Sequence, residues 1–176
     1  MRSFILTLFC VIQGPLFGQN DDFHQEIMDM MALKGDEVAA SVRYHDVFPK
    51  LQRNFASKHI DSEVWQELRA DEQQQVQAYI KQGAYAYRQF LNRDEVAALS
   101  SFYASESGQK YVSEQELNTR DEKSIKQFFK TEAGQKFKQK SDSIALALDE
   151  INKDWSQALF KTKMRELIKG GHLKNK

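Results

Sequence analysis

The sequence predicts an all-α fold, a single domain of about six helices, and three observations carry that expectation. Apolar residues recur at steps of three and four along nearly the whole chain. No stretch of useful length alternates apolar with polar residues, as a half-buried strand would. The 176 residues include only 2 Pro and 8 Gly, too few turn-formers for a loop-rich β protein. That length suits one domain with a sizeable core. A content of 41% apolar and 28% charged residues describes a globular chain rather than a disordered one.

Taken in order, residues 1–18 read as a secretory signal peptide. Arg2 supplies a positive start, "FILTLFCVI" is apolar but too short to cross a bilayer, and "QGPLFG" offers a turn and a small residue. Cleavage is expected after Gly18, which makes the mature protein periplasmic or secreted. The chain's one cysteine, Cys10, lies in the apolar stretch and would leave with the peptide. Phe9 stands before it where a lipid-anchoring site needs a small residue. The mature chain then has no thiol, which excludes disulfides and thiol chemistry. No second apolar run approaches the ~20 residues of a membrane helix.

Residues 19–170 carry the helices. Phe23, Ile27 and Met30/Met31 open a first short one, stopped near "KGD" at Lys34–Asp36. Val38, Val42, His45, Phe48, Leu51 and Phe55 continue the period, with a kink or break expected at Pro49. Asp61 is a cap for a third helix bearing Val64, Trp65 and Leu68. That helix is expected to run on through "QQQVQAYIKQ" towards Phe90, with Gly83 its weak point. The most regular stripe comes last: Ile144, Leu148, Ile151, Trp155, Leu159 and Thr162, extended by Leu167 and Ile168. Ser141 or Ser143 would cap its start, and Gly170–Gly171 its end. A helix of about 27 residues would be about 40 Å long. Residues 171–176 form a basic tail.

Between these helices the chain writes one phrase twice. Residues 91–111 laid over residues 117–137 give 7 identities in 21 positions: Leu91/Leu117, Asn92/Asn118, Phe102/Phe128, Glu106/Glu132, Gly108/Gly134, Gln109/Gln135 and Lys110/Lys136. We read an internal repeat of a helix, a turn and the start of another helix. Asn92 caps the first helix, with Glu95 completing a capping box. Ser105 caps the next, with Glu106 favoured in its first turn by the macrodipole. Gly108 in that turn costs ~1 kcal/mol of helix propensity, so close approach of another backbone or ring is expected to offset it. The second copy repeats this logic with Thr131, Glu132 and Gly134. It carries Glu122 where the first has Val96, so its helix should be less buried. Phe102, Ser105, Gly108, Phe128, Thr131 and Gly134 are thus the structural motif. Gln109, Lys110, Gln135 and Lys136, displayed alike by both turns, are the candidate recognition surface.

The stretch "FLNRDEVAALSSFYASESGQKY" resembles the signature of the bacterial family called domain of unknown function 2059. That signature is a Thr/Asn-capped acidic helix start, an "Fy.S..Gqk" turn and a long helix. The Pro-interrupted helix upstream, the lead-in at Tyr85–Leu91 and the late helix with Trp155 also fit, so the resemblance spans roughly Phe23 to Ile168. The chain departs in having Glu106-Ser107 where Ser-Pro is usual. The resemblance implies an exported helical protein and brings no established activity with it.

Catalytic patterns are weak. Ser107–Lys110 matches a Ser-x-x-Lys element, but Ala133 replaces the serine in the second copy. No Ser-Asp-Asn or Lys-Thr-Gly partner accompanies it, and "KTK" at Lys161 lacks the glycine. His24, His45, His59 and His172 have no second histidine at i+3 or i+4, the spacing a helical zinc site would use. Glu63/Glu67 and Asp149/Glu150 read as solvated carboxylate pairs. No glycine loop suits a phosphate, so no cofactor is expected. Lys130, Lys136, Lys138 and Lys140 interleave with Phe128, Phe129 and Phe137. At helical spacing the rings turn inward and the lysines outward, which argues against nucleic acid.

Charge is zero overall but uneven. Gln19–Gln75 holds 12 acidic and 6 basic residues, whereas Lys123–Lys176 holds 6 acidic and 13 basic. A basic C-terminal third suits solvated helix faces or weak contact with an anionic membrane surface. The expected function is non-enzymatic: binding a protein partner or self-association in the bacterial envelope. An envelope hydrolase and a membrane-surface protein are the alternatives.

Overall fold

The computed structural model describes residues 22–171 and 174–175. The expected signal peptide with its expected cleavage after Gly18, Cys10, His172 and part of the basic tail lie outside the described residues. The fold is all-α with a long C-terminal helix. Nine helices occur among the described residues: α1 Asp22–Leu33, α2 Asp36–His45, α3 Val47–Asn54, α4 Ser62–Glu67, α5 Glu72–Phe90, α6 Arg93–Ala104, α7 Glu106–Val112, α8 Thr119–Phe128 and α9 Glu132–Lys169. Two residues, Lys58–His59 (β1), pair antiparallel with Lys174–Asn175 (β2).

The helix count exceeds about six in part because two expected helices are split, and short α7 stands as a helix of its own. Gly35, at φ 84°, ends α1 in the left-handed region that glycine alone enters freely, as the "KGD" stop predicts. The next break falls at Asp46 and not at Pro49. Pro49 is the third residue of α3, where its missing N–H has no intrahelical bond to lose. The expected continuous helix from Asp61 to Phe90 is interrupted over residues 68–71. There the one Tyr44 O–H is shared between Asp71 Oδ1 at 2.6 Å and the Leu68 carbonyl at 3.2 Å, so a tertiary partner holds the break. Gly83 is not a weak point: it is buried inside α5. A Cβ there would sit 2.8 Å from Met31 Cε, the flexible end of an α1 side chain.

The α5 helix is the hub, packed against α1, α2 and α9, while α6 bridges α1 and α9. The core is continuous. Ile27, Met30 and Met31 of α1, Tyr44 of α2, Phe48 of α3, Ile80 and Tyr87 of α5, Val96 and Leu99 of α6, and Leu167 of α9 all belong to it.

The α9 helix is 38 residues long, about 57 Å. It starts at Glu132, nine residues before Ser141, capped by Thr131. Ser141 instead lies within the helix and donates its hydroxyl to the Lys138 carbonyl at 2.8 Å. Nothing in residues 132–140 breaks a helix, so α9 runs back to the nearest good cap. Its buried positions include Ile144, Trp155, Leu159 and Leu167. Trp155 packs on Tyr79 with ring centroids 5.0 Å apart. Thr162 is only half-buried and Ile168 is exposed. The stripe passes instead through Lys163, which is 2% exposed.

Candidate functional site

Two tight turns, α6 to α7 and α8 to α9, are built from the same atoms. At Ser105 the backbone is extended (φ −74°, ψ 155°), and at Thr131 it is nearly the same (φ −67°, ψ 160°). Ser105 Oγ donates to the Phe102 carbonyl at 2.6 Å and accepts from the Gly108 amide at 3.0 Å. Thr131 Oγ1 donates to the Phe128 carbonyl at 2.7 Å and accepts from the Gly134 amide at 3.1 Å. One hydroxyl thus ends one helix and starts the next. Gln109 Nε2 donates to the Tyr103 carbonyl at 2.6 Å, and Gln135 Nε2 to the Phe129 carbonyl at 2.5 Å. These satisfy carbonyls that the helix ends leave free.

The glycines are required by closeness. Neither has a positive φ. A Cβ on Gly108 would lie 1.9 Å from the Phe102 carbonyl oxygen, and one on Gly134 2.2 Å from that of Phe128. The expected close approach is therefore that of the preceding helix's own last turn.

The helix starts of α6 and α8 match as well. Asn92 Oδ1 accepts from the Glu95 amide at 2.9 Å, and Glu95 Oε2 accepts from the Asn92 amide at 3.0 Å. Asn118 and Asp121 form the same box at 3.0 and 3.2 Å. Both acids are buried, at 4% and 3% exposure. Each is tied to a lysine of a neighbouring helix. Lys140 of α9 reaches both Glu95 oxygens, at 2.7 and 2.8 Å. Lys110 of α7 reaches Asp121 Oδ2 at 3.0 Å. Burial pushes the Glu95 carboxyl up, but Lys140 and the Asn92 amide outweigh it and hold it below its usual range. Lys110 does the same for Asp121, helped by the Ser107 hydroxyl, which donates to Oδ1 at 2.9 Å. As Glu122 suggests, α8 is the less buried helix, with only Asp121 and Ile125 inside.

Phe102 and Phe128, equivalent in the two stretches, stack face to face. Their centroids are 4.1 Å apart and their planes 6° from parallel. Tyr111 packs edge-on to Phe129 at 5.8 Å. Beside this stack lies an open cleft of about 680 Å³. Ala98, Phe102, Phe128 and Ala133 supply its apolar surface, and Ser101, Ser105, Ser124 and Thr131 its hydroxyls. Asp94, Glu95, Glu132 and Lys136 also line it.

Of the four expected recognition residues, only Lys136 lines this cleft. Gln109 and Gln135 are spent on carbonyls. Lys110 pairs with Glu106 as well as Asp121, and Lys136 with Glu132 at 2.7 Å. The repeated Glu-x-Gly-Gln-Lys positions thus have internal work in both copies, except that Lys136 keeps an exposed flank. Ser107 is buried and outside the cleft lining, its hydroxyl committed to Asp121.

A second polar cluster was not legible from motifs. Lys163 Nζ lies 2.8 Å from Asp71 Oδ2 and 3.0 Å from Glu166 Oε2. Asp71 also accepts from Tyr44 at 2.6 Å and Gln75 at 3.0 Å. Burial raises Tyr44's pKa, and the bond to Asp71 adds to the rise. A signal existed: Trp155, Leu159, Lys163 and Leu167 are spaced four apart, so the lysine sits on the apolar stripe. The histidines lie apart. His45 pairs with Glu72 at 3.1 Å, His59 with Asp61 at 3.1 Å, and His24 packs on Tyr85. Among the described residues no three metal-ligating side chains converge.

No family model matches the chain, and neither a curated protein nor a solved structure matches it.

Proposed function

We propose that this chain is an exported, non-enzymatic binding protein of the bacterial envelope, related to the family it resembles and built around a duplicated helix-turn-helix unit. In this reading the cleft between the two turns receives an apolar side chain from an extended segment of a protein partner. The observation that carries it is the cleft's composition. Its apolar surface is the stacked Phe102/Phe128 pair with two alanines, edged by Ser101, Ser124, Asp94 and Lys136, while the Ser105 and Thr131 hydroxyls are held by the caps. Open apolar surface of this kind, edged by polar groups, suits a peptide better than a reaction. The rigid frame around it supports the same reading. Caps, glycine contacts and cross-ties fix both turns before any partner arrives, so little ordering cost falls on binding.

The test is to fill the cleft while leaving the caps alone. Ser101→Arg and Ser124→Arg should each abolish capture of the partner that the wild-type mature chain retains from a periplasmic extract. Ser107→Ala should leave capture intact. Retention by both arginine variants would sink the cleft reading. Loss of the cellular phenotype in a folded Ser107→Ala variant would favour the envelope hydrolase instead.

A further inference from the structure

On a different face, α3 and α9 enclose a groove of about 420 Å³. Val47 and Phe160 give it an apolar floor, with Val47 buried and Phe160 half-buried. Lys50 and Arg53 project from one wall, three residues apart on one face of α3, and Lys161 from the other. No acidic side chain lines it. Among the described residues, Lys50, Arg53 and Lys161 have no ion-pair partner. Three like charges around one low-dielectric concavity focus a positive potential into it.

We infer that this groove holds the phosphate headgroup of a single anionic phospholipid at a membrane surface. The three cations match a phosphodiester in sign. Arg53 offers a planar fork for two phosphate oxygens, and the lysines act as point charges beside it. The floor favours an amphiphile over a free ion, because the half-buried Phe160 ring can cover the first methylenes below a glycerol but gains nothing from inorganic phosphate. No helix among the described residues is long and apolar enough to cross a membrane, so contact would be peripheral. The inference does not depend on the cleft between the turns.

Mature protein is sedimented with phosphatidylglycerol vesicles and with phosphatidylcholine vesicles. The expected result is binding to the first only, weakened by salt. Lys50→Gln, Arg53→Gln and Lys161→Gln combined should lower binding on the order of a hundredfold, given the typical contribution of each cation near a charged surface. Lys123→Gln, Lys130→Gln and Lys138→Gln combined remove the same charge elsewhere and should bind nearly as wild type. Unchanged thermal melts exclude misfolding of either variant. Equal loss in the two triples, or wild-type binding by the groove triple, overturns the inference. So does calorimetric binding of inorganic phosphate to the groove without vesicle binding.

Discussion

A methyl group on Gly108 would sit 1.9 Å from the Phe102 carbonyl oxygen, and one on Gly134 2.2 Å from that of Phe128. Both contacts are with backbone, which cannot swing aside. Alanine should gain ~1 kcal/mol of helix propensity at either site, yet the overlap should dominate. We predict a net loss of about 1–3 kcal/mol for Gly108→Ala and for Gly134→Ala in urea melts. The Gly108 variant should be the worse of the two. Sequence made this much legible: a glycine written twice in a helix's first turn needs a steric reason. What it hid was the donor role of Gln109 and Gln135, since a glutamine beside a turn looks the same whether it faces solvent or a carbonyl. Titration gives a second prediction at this scale. Burial raises the phenol pKa of Tyr44, Tyr79, Tyr87 and Tyr103 above the ordinary 10.0. The folded state then holds protons that the unfolded state releases. Their contribution to stability is complete below pH about 10 and lost above it. Ultraviolet titration should show these four phenols ionising together with unfolding, and free titration of all of them in folded protein would contradict this.

At the scale of elements, caps and tertiary ties decide where helices begin and break. Asn92 and Asn118 were readable as caps, and Asn118→Ala should cost about 1 kcal/mol by denaturant melt through loss of its box. Thr131 is readable as a cap, but Ser141 looks like a second one, so the sequence suggests two helices where the structure has one continuous α9. Thr131 wins by closing a hydrogen-bonded turn, leaving Ser141 to bond within the helix. The break at residues 68–71 was hidden for another reason. It is held by Tyr44 and, through Asp71, by Lys163, partners 24 and 92 positions away. No local pattern encodes such contacts. Lys163→Met leaves Asp71 with only neutral partners. It should destabilise by about 3 kcal/mol, the low end for breaking a buried pair because Asp71 is part-exposed. Lys126→Met, which breaks an exposed pair with Glu122, should stay within about 0.5 kcal/mol.

Across the whole molecule, the carboxylates that start helices or anchor α9 also join distant elements. Glu95 links α6 to α9, and Asp71 links the start of α5 to α9 and α2. Both are held below the usual carboxylate range, by Lys140 with the Asn92 amide and by Lys163 with Tyr44, against burial that opposes it. Their contribution is complete above pH about 4–5 and lost as pH falls through the lowered values. Together with the tyrosines, this brackets stability between acid and alkaline limits. The all-α class was legible because periodicity survives any arrangement of helices. The cleft was not, because it arises where two similar turns meet, and the stack of Phe102 on Phe128 depends on their mutual orientation. The central claim is that this meeting place binds a partner segment. The direct measurement is site-specific photo-crosslinking in intact cells. A photoreactive phenylalanine is placed at Ser101 in the cleft and, in a second strain, at exposed Glu150 on α9. A discrete crosslinked envelope protein from position 101, absent from position 150 and lost on adding Ser124→Arg, is the predicted result. Equal crosslinking from both positions, or none from position 101, would contradict it.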